Sequence, residues 1–205
     1  MLSIRLEQGR LAEVRGPLED AVASSGLTVL RDALAFVHAH TGHYTEARAV
    51  RAGNLETHRL PDDGLLTGIL ALRAFSLHDL AKAGQEVSLE DANAVHERLS
   101  ACAGEIVMHG TGIGVWGAVD LFEGMSALLC DRREVALDAL RRAVTLNDQD
   151  GNVVWSARAR RLLARTLLDG APADDQDTVG LAECLAVQAD EALAAARLPA
   201  TAASV

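Results

Sequence analysis

The sequence of 205 residues has little of several features that mark particular protein classes. Aromatic residues make up only 3% of it, and runs rich in Val, Ile, Thr or Tyr are few, so we expect almost no β-sheet. It contains no run of about 18 apolar residues, which predicts that no segment spans a membrane. Its three scattered cysteines favour reduced thiols over a disulfide framework. The amino-terminal residues lack the apolar core of a signal peptide, and we therefore expect a cytoplasmic protein.

Positive charge is also scarce in this chain. It has 19 Lys and Arg residues against 29 Asp and Glu residues, which gives a formal net charge of −10 at pH 7. Non-specific binding to nucleic acid comes largely from the neutralisation of phosphates by basic side chains. Adhesion to anionic lipids likewise needs clusters of Lys and Arg. The composition therefore predicts neither a nucleic-acid partner nor a membrane partner.

Residues 119–147 carry the clearest pattern in the sequence. Apolar side chains recur there at steps of three and four, which is the spacing that lines one face of a helix. Three consecutive charges, Asp131 to Arg133, interrupt this pattern, and a second apolar stripe follows them. The stretch therefore predicts one antiparallel helix pair. A glycine inside a helix costs about 1 kcal/mol relative to alanine, so Gly124 indicates close approach of a neighbouring backbone.

The rest of the chain resembles looser copies of this helix pair. The pattern Gly9-Arg10-Leu11-Ala12-Glu13 recurs as Gly42-His43-Tyr44-Thr45-Glu46, 33 residues further on. A single amphipathic pair cannot bury its apolar faces alone and needs further pairs beside it. We therefore predict an all-α protein, an α-solenoid of about five antiparallel helix pairs. It would form a single domain over residues 1–197, with a frayed tail at 198–205.

Small and large residues of the central pair resemble the skeleton of a tetratricopeptide repeat, namely Gly124, Ala127, Ala136, Leu140 and Ala143. More specifically, residues 117–170 resemble the carboxy-terminal helical region of LuxR-type and adenylate-cyclase-like bacterial signalling ATPases and transcriptional regulators. The similarity extends over residues 7–196. It implies a repeat fold and a role in bacterial transcriptional or signalling regulation. The nucleotide-binding, cyclase and DNA-binding modules of those proteins have no counterpart here, so the resemblance transfers no catalytic residue, and the chain is expected to be either a stand-alone relative or a piece of a longer regulator.

Residues 104–117 form the least helical part of the sequence. They contain the pattern G-x-G-x-x-G at 112–117, which binds dinucleotides only between a strand and a helix of a parallel βαβ unit. Helical patterns on both sides favour a flexible connector between helix pairs instead. A lid over a concave surface is the alternative. We predict no cofactor from this motif.

Three histidines, His38, His40 and His43, are clustered in the sequence. Histidine commonly binds metals, but these three do not have the spacing of metal ligands. Zinc ligands on one helix stand four residues apart, whereas His38 and His40 point to nearly opposite sides of a helix. A solvated or capping role is therefore favoured, and no metal site is predicted.

Candidate binding residues come from the arginines and tryptophans. Arg158, Arg161 and Arg165 share one helical face, where they would hold an acidic or phosphorylated ligand or, alternatively, pair with surface carboxylates. Trp116 and Trp155 would serve either as anchors for a partner or as core residues. We predict a groove site made by six residues, namely Trp116, His109, Arg158, Arg161, Arg165 and Trp155.

The leading functional hypothesis is a non-catalytic protein-interaction module that binds a peptide or protein segment in its concave groove. The sequence contains no G-x-S-x-G, P-loop or H-E-x-x-H motif, which favours a protein without catalysis but leaves the question open. The alternative is a small-molecule receptor or cofactor-free enzyme with a pocket between the 104–117 loop and the 153–168 helix. The exposed face of the first short helix also suggests a homodimer through the N-terminal helices.

Overall fold

A computed structural model describes residues 1–109, 114–172 and 174–199, without the side chain of His109. Its secondary structure is mostly helical, so the predicted helical class is confirmed. Residues 200–205 of the predicted frayed tail, and residues 112 and 113 of the glycine motif, lie outside the described residues. The helices and strands are α1 (Leu2–Glu7), α2 (Arg15–Ser25), α3 (Thr28–His40), α4 (Tyr44–Ala52), α5 (Leu66–Lys82), α6 (Leu89–Ser100), β1 (Ile106–His109), β2 (Gly114–Ala118), α7 (Val119–Leu129), α8 (Arg133–Gln149), α9 (Val153–Asp169) and α10 (Gln176–Ala195). Short 3-10 helices at Leu11–Val14 and Thr57–Arg59 complete the elements of these ranges.

Local signals account for many of the helix ends. The Ser88 hydroxyl accepts a hydrogen bond from the backbone N–H of Asp91 and so caps α6. Pro17 lies in the first turn of α2, after a 3-10 turn, where its missing N–H is not needed. Asp131 ends the first half of the central pair in a left-handed conformation with φ 56°.

Most helices that follow one another in the chain pack against each other. α3 contacts α4 and α5, α5 contacts α6 and α7, and α8 contacts α7 and α9. α9 in turn contacts α10. One connected cluster of buried apolar side chains runs through these contacts from Leu6 in α1 to Ala182 in α10. Burial of a shared apolar face is the main favourable term that holds such helices together.

A close approach is present at Gly124 between α7 and α8, but the nearest atoms belong to a side chain rather than to the predicted backbone, whose Ala136 carbonyl oxygen lies 3.4 Å from an added Cβ. A Cβ atom added at Gly124 would lie 2.8 Å from the Cγ and Cδ2 atoms of Leu140. Any larger residue would therefore have to push the α8 side chain away. This contact explains why a glycine occurs inside a helix at this position.

Residues 104–117 do connect two helices, but their described part is not the flexible segment that we predicted. Instead, β1 and β2 form an antiparallel hairpin there. Met108 pairs with Val115 and both are exposed, whereas Val107, Trp116 and Ala118 are buried. This alternation gives the hairpin one face on the core and one face on solvent. The glycines of the segment hid the alternation in the sequence.

The hairpin is fixed to the helices by its backbone. The side-chain oxygen Oδ1 of Asn147, a fully buried residue of α8, accepts a hydrogen bond of 3.0 Å from the N–H of Ala118. On the other strand, the carbonyl oxygen of Met108 lies 3.0 Å from the position of a Cβ added at Gly68 in α5. The hairpin is therefore part of the packed core rather than a surface appendage. Within the described ranges, no helix combines the length and apolarity that crossing a bilayer requires.

Candidate functional site

A cluster of aromatic side chains occupies the space between the odd-numbered helices. Phe36 of α3, Phe75 of α5, Phe122 of α7 and Trp155 of α9 each contribute one ring, and Trp116 of β2 joins them. Neighbouring ring centroids in this set lie 5.1 to 5.8 Å apart. Such separations are typical of favourable offset and edge-to-face aromatic pairs. The sparse aromatic content of the chain is thus concentrated in one place.

Both predicted tryptophan anchors belong to this aromatic cluster. Trp116 and Trp155 stack with centroids 5.4 Å apart, and their exposed fractions are 0% and 3%. Of the two roles that the sequence left open, the structure therefore gives both residues the core role. The inner space that we expected to be an open groove is filled by the chain's own side chains.

Arg158 is also buried and does not line an open surface. Its guanidinium carbon lies 4.4 Å from the ring centroid of Trp155 and 5.7 Å from that of Phe75. Burial lowers the pKa of Arg158 to about 10, against the opposing effect of the negative charges of Glu7 and Asp79. The side chain therefore stays protonated at pH 7 and binds the aromatic faces as a cation.

The other predicted groove residues are dispersed. Arg161 forms an ion pair with Asp190 of α10, and Arg165 lies 3.8 Å from Asp169 on its own helix. The three arginines of the predicted face therefore lie in three different environments. Two of them, Arg161 and Arg165, are close to carboxylates. The His109 side chain lies outside the described residues.

The three clustered histidines are less exposed than we predicted. His38 is buried, and His40 bonds to the Asp79 carboxylate at 2.8 Å between Nδ1 and Oδ2. His43 occupies the N-cap position of α4 and contacts Arg15 and Thr41. The solvated role is therefore wrong for His38, which is buried, whereas His40 is half-buried at the end of α3 against Asp79. Among the described residues, no group of three or more His, Cys, Asp and Glu side chains has the arrangement of a metal site.

A cavity of about 320 Å³ lies where the carboxyl-terminal ends of α5, α7 and α9 meet the start of α8. We refer to it as the α5–α9 cavity. Its apolar wall includes Leu128, Leu129 and Leu162. Its polar and charged lining consists of His78, Lys82, Asp131, Arg133, Arg165 and Asp169. Arg165, which lines this cavity, is one of the six residues of the predicted groove site.

Arg133 forms the wall of the cavity on the side of α9. Its Nη2 atom donates to the carbonyl oxygens of Thr166 and Leu167 at 3.2 and 3.3 Å. Its guanidinium also lies directly against Gly170, where an added Cβ would clash with three of its atoms. Arg133 therefore satisfies carbonyls at the end of α9, a position where positive charge is favourable.

His78 lies at the inner side of the cavity and is 8% exposed. Its Nδ1 atom is buried and has no hydrogen-bond partner within the described part of the chain. Burial lowers the pKa of His78 to about 4, with smaller effects from the charges of Asp79, Lys82 and Arg165. The imidazole is therefore neutral at pH 7 and carries one N–H donor.

A second polar region surrounds the connection between α4 and α5. Arginines of α3, α5 and α6 donate to its carbonyl oxygens, with Arg31 on Gly53, Arg73 on Leu55, and Arg98 on Thr57 and Leu60. Arg73 also forms a bidentate pair with Asp32, at 2.9 and 3.1 Å, in which both residues are buried. Burial raises the pKa of Asp32, while the charge of Arg73 acts in the opposite direction.

The cavity beside that connection, about 260 Å³ in volume, is lined by Arg73, Arg51 and Asp91 among others. Arg73 is held by Asp32, and Arg51 is paired with Asp91. Both arginines therefore already form ion pairs within the protein, around the connection between α4 and α5. For that reason we regard the α5–α9 cavity as the better candidate site.

Sequence reasoning missed both His78 and Lys82 as site residues. A signal was present, because His78 and Lys82 stand four residues apart on α5 and so share a face, as do Arg165 and Asp169 on α9. The meeting of these two faces depends on how α5 and α9 are placed by the helices between them. Local spacing does not carry that information.

Comparison with known proteins adds no relative, since no family model matches the chain and neither the curated proteins nor the solved structures give a match. The resemblance to the helical region of bacterial regulators therefore stays a prediction. The functional argument rests on the geometry of the chain itself.

Proposed function

We propose that this chain is a non-catalytic protein-interaction module, built as a tetratricopeptide-like α-solenoid that binds a segment of a partner protein. The observation that carries the proposal is the order of the helix contacts. α3, α5 and α7 pack side by side, while α4, α6 and α8 each follow and contact one of them. Repeat solenoids have this nearest-neighbour arrangement, and their surfaces commonly bind other proteins. The role would lie in bacterial transcriptional or signalling regulation, as the resemblance implies.

The proposed place of binding is the α5–α9 cavity rather than the space between the odd-numbered helices. Aromatic side chains fill that inner space, since Trp116, Phe75 and Phe122 are completely buried. The α5–α9 cavity is open to solvent and combines leucines with charged side chains. Apolar contact with a few placed polar groups is the usual composition of a binding site.

Site-specific photo-crosslinking tests this proposal on the full chain. A crosslinking residue is placed at Asp169, on the cavity rim, and in a second variant at Asp138, on the outer face of α8. The two side chains have similar exposure, 71% and 69%, which makes them a matched pair. We expect one protein partner to be crosslinked from position 169, with competition by the unmodified chain, and not from position 138.

Two outcomes of this experiment contradict the proposal in different ways. Competed crosslinks from position 138 alone would leave partner binding intact and refute the location. The absence of any competed crosslink from either position would refute the interaction module itself.

A small-molecule receptor or cofactor-free enzyme is the second candidate, and the buried Arg158 is the observation that favours it. A buried ionisable group whose pKa is strongly lowered is often found at a functional site. In the described part of the expected pocket, however, β2 lies directly on α9, because a Cβ added at Gly117 would be 2.5 Å from Cβ of Trp155. A thermal-shift screen separates the two candidates, since a large stabilisation by one metabolite favours the receptor.

We also propose that a second copy of the chain binds at the N-terminal helices. Met1 and Ile4 are 80% and 55% exposed, and a mostly apolar cavity lies beside them between Leu2, Val14 and Leu18. Exposed apolar patches of this kind mark association surfaces. Sedimentation equilibrium should give a dimer that the Ile4→Glu variant weakens, and a monomer at high concentration would contradict the proposal.

A further inference from the structure

We propose that His43 is a pH-sensitive latch, which holds α2 against the corner between α3 and α4 when its imidazole is neutral and releases α2 when the imidazole is protonated. This latch lies in the N-terminal part of the fold and is independent of partner binding at the α5–α9 cavity. Its physical basis is a chain of hydrogen bonds with a fixed direction, together with the shallow packing of α2.

The α2 helix buries little apolar surface. None of its 11 residues is buried, whereas most of the 13 residues of α3, against which it packs, are buried. Within the described part of the chain, two polar side-chain contacts join α2 to other helices. Nη1 of Arg15 lies 2.6 Å from Nε2 of His43, and Oε1 of Glu19 lies 3.9 Å from Nε2 of His38. The docking of α2 therefore depends on polar contacts whose partners are histidines.

The contact between Arg15 and His43 fixes the position of the proton on the neutral imidazole. A guanidinium donates hydrogen bonds and cannot accept them, so Nε2 of His43 must be the unprotonated ring nitrogen. The proton therefore lies on Nδ1, which is 3.1 Å from the hydroxyl oxygen of Thr41. That hydroxyl in turn donates to the carbonyl oxygen of Val37 at 2.7 Å. The hydrogen bonds thus run in one direction, from Arg15 to Val37.

A protonated His43 does not fit this chain of hydrogen bonds. The added proton occupies Nε2, which is the acceptor for Arg15, and it places two cations only 2.6 Å apart. Arg15 has another partner within reach, because its Nε atom lies 4.0 Å from Oε1 of Glu19 on the next turn of α2. Protonation therefore breaks the contact between α2 and α4, while Arg15 keeps a carboxylate beside it.

The charged and titratable groups around His43 come from three helices, namely Arg15 and Glu19 of α2, His38 of α3 and Glu46 of α4. Burial lowers the pKa of His38, against the opposing effects of the charges of Glu19 and Glu46. His38 therefore stays neutral under conditions in which an ordinary imidazole is protonated. Its contact with the half-exposed Glu19 is long and contributes little, so it does not replace the lost hydrogen bond.

NMR of the ¹⁵N-labelled full-length protein tests the hydrogen-bond chain in its neutral state. At about pH 8, the ring of His43 should carry its proton on Nδ1 and have an unprotonated Nε2. Its signals are assigned from the His43→Gln variant. His58 is the reference, because its side chain is 70% exposed. A neutral His43 with its proton on Nε2 would overturn the inference.

Hydrogen exchange of the α2 amides measures the release of the helix. Exchange is followed at about pH 8 and about pH 5.5, values on either side of the ordinary titration of imidazole. The rates are corrected for the intrinsic pH dependence of exchange, and the amides of α5 report changes that affect the whole fold. On acidification we expect α2 to accelerate about tenfold more than α5, because a hydrogen bond with a charged donor is lost.

Two substitutions separate the latch from general effects of acid. His43→Gln keeps an acceptor for Arg15 but does not titrate, so α2 should exchange at the same corrected rate at both pH values. Arg15→Met removes the donor, so exchange of α2 should be about tenfold faster already at the higher pH and should not accelerate further at the lower one. His58→Gln is the control and should respond to pH as the unchanged protein does.

Two results of the exchange experiment would overturn the inference. One is an equal acceleration of α2 and α5 when the unchanged protein is acidified. The other is a pH response of α2 that remains as large in Arg15→Met or His43→Gln as in the unchanged protein. If α2 of His43→Gln exchanges fast at both pH values, while the unchanged protein shows the pH response and the Nδ1 proton, the latch is supported, because the glutamine has then failed to replace the acceptor.

Discussion

Five of the six Phe, Trp and Tyr residues of this chain meet in one cluster, and single residues around it determine how closely the elements approach. Trp116 brings the hairpin into contact with Trp155 of α9, and the adjacent Gly117 makes that contact possible. Gly117 has a φ of 69°, which residues that carry a Cβ atom rarely adopt. Conformation and close packing therefore both require glycine at this position.

Replacement of Gly117 by alanine should be strongly destabilising. The added Cβ would lie 2.5 Å from Asn147 Oδ1 and from Trp155 Cβ, and left-handed backbone strain adds to the clash. We expect a loss of about 3 kcal/mol in the free energy of unfolding, measured by urea titration. Gly151→Ala is the control, because Gly151 has a φ of 68° and open space around it. Its loss should be about 1 kcal/mol, and equal losses would contradict the packing argument.

A second residue-scale prediction concerns Arg142, which holds two buried carboxylates. Its Nε donates to Asp120 at 2.6 Å and its Nη2 to Glu123 at 2.7 Å. Arg142→Met would leave both carboxylates without this cation, at a cost of about 2 kcal/mol after allowance for the access of water. The adjacent Arg141→Met breaks an exposed pair with Asp138 and should cost less than about 0.5 kcal/mol. Similar chemical denaturation curves for the two variants would count against a structural role of Arg142.

The buried His78 predicts a dependence of stability on pH. Burial lowers its pKa from 6.5 to about 4, so between these values the unfolded chain binds a proton that the folded chain does not. This proton therefore has no effect on the free energy of unfolding above about pH 6.5. As the pH falls from there towards 4, the free energy of unfolding decreases by about 3 kcal/mol. His78→Gln should flatten the curve of unfolding free energy against pH in this window. The lowered pKa values of His38 and His96 leave a residual slope, and parallel curves would contradict the prediction.

At the scale of elements, helix ends can be predicted from a sequence because their signals are local. Ser88, which caps α6, Pro17 in the first turn of α2 and the charged break at Asp131 each lie within a few residues of a helix end. The hairpin was missed for the opposite reason. Its pairing of Ile106 with Ala118 is non-local, and glycines interrupt the alternation that would have marked the second strand.

The attachment of the hairpin to α8 gives a prediction at this scale. Asn147 accepts a hydrogen bond from Ala118 and donates one to the Ala143 carbonyl, so its amide joins the two elements. Asn147→Ala should cost about 1–3 kcal/mol, because the N–H of Ala118 is left buried without a partner. Amide exchange at Ala118 should accelerate more than exchange in the middle of α8. Thr145→Ala, an exposed change on the same helix, is the control, and unchanged exchange at Ala118 in Asn147→Ala would contradict the assignment.

At the scale of the whole molecule, the sequence predicted the helical class but not how the residues of the site are brought together. The Arg73–Asp32 pair joins residues 41 positions apart, and the α5–α9 cavity needs α5 and α9 to approach each other. Burial of Trp116, Trp155 and Arg158 follows from the same approach. Helical periodicity identifies the face on which a residue lies but does not identify what that face contacts.

Native-state hydrogen exchange along the whole chain tests the stacking of helix pairs most directly. If each pair is held mainly by its neighbours, the opening free energy should be highest in the helices that have packed helices on both sides, such as α5, α7 and α8, and should be lowest in α1 and α10 at the two ends. A single opening free energy shared by all helices, with α10 protected as well as α5, would contradict the account.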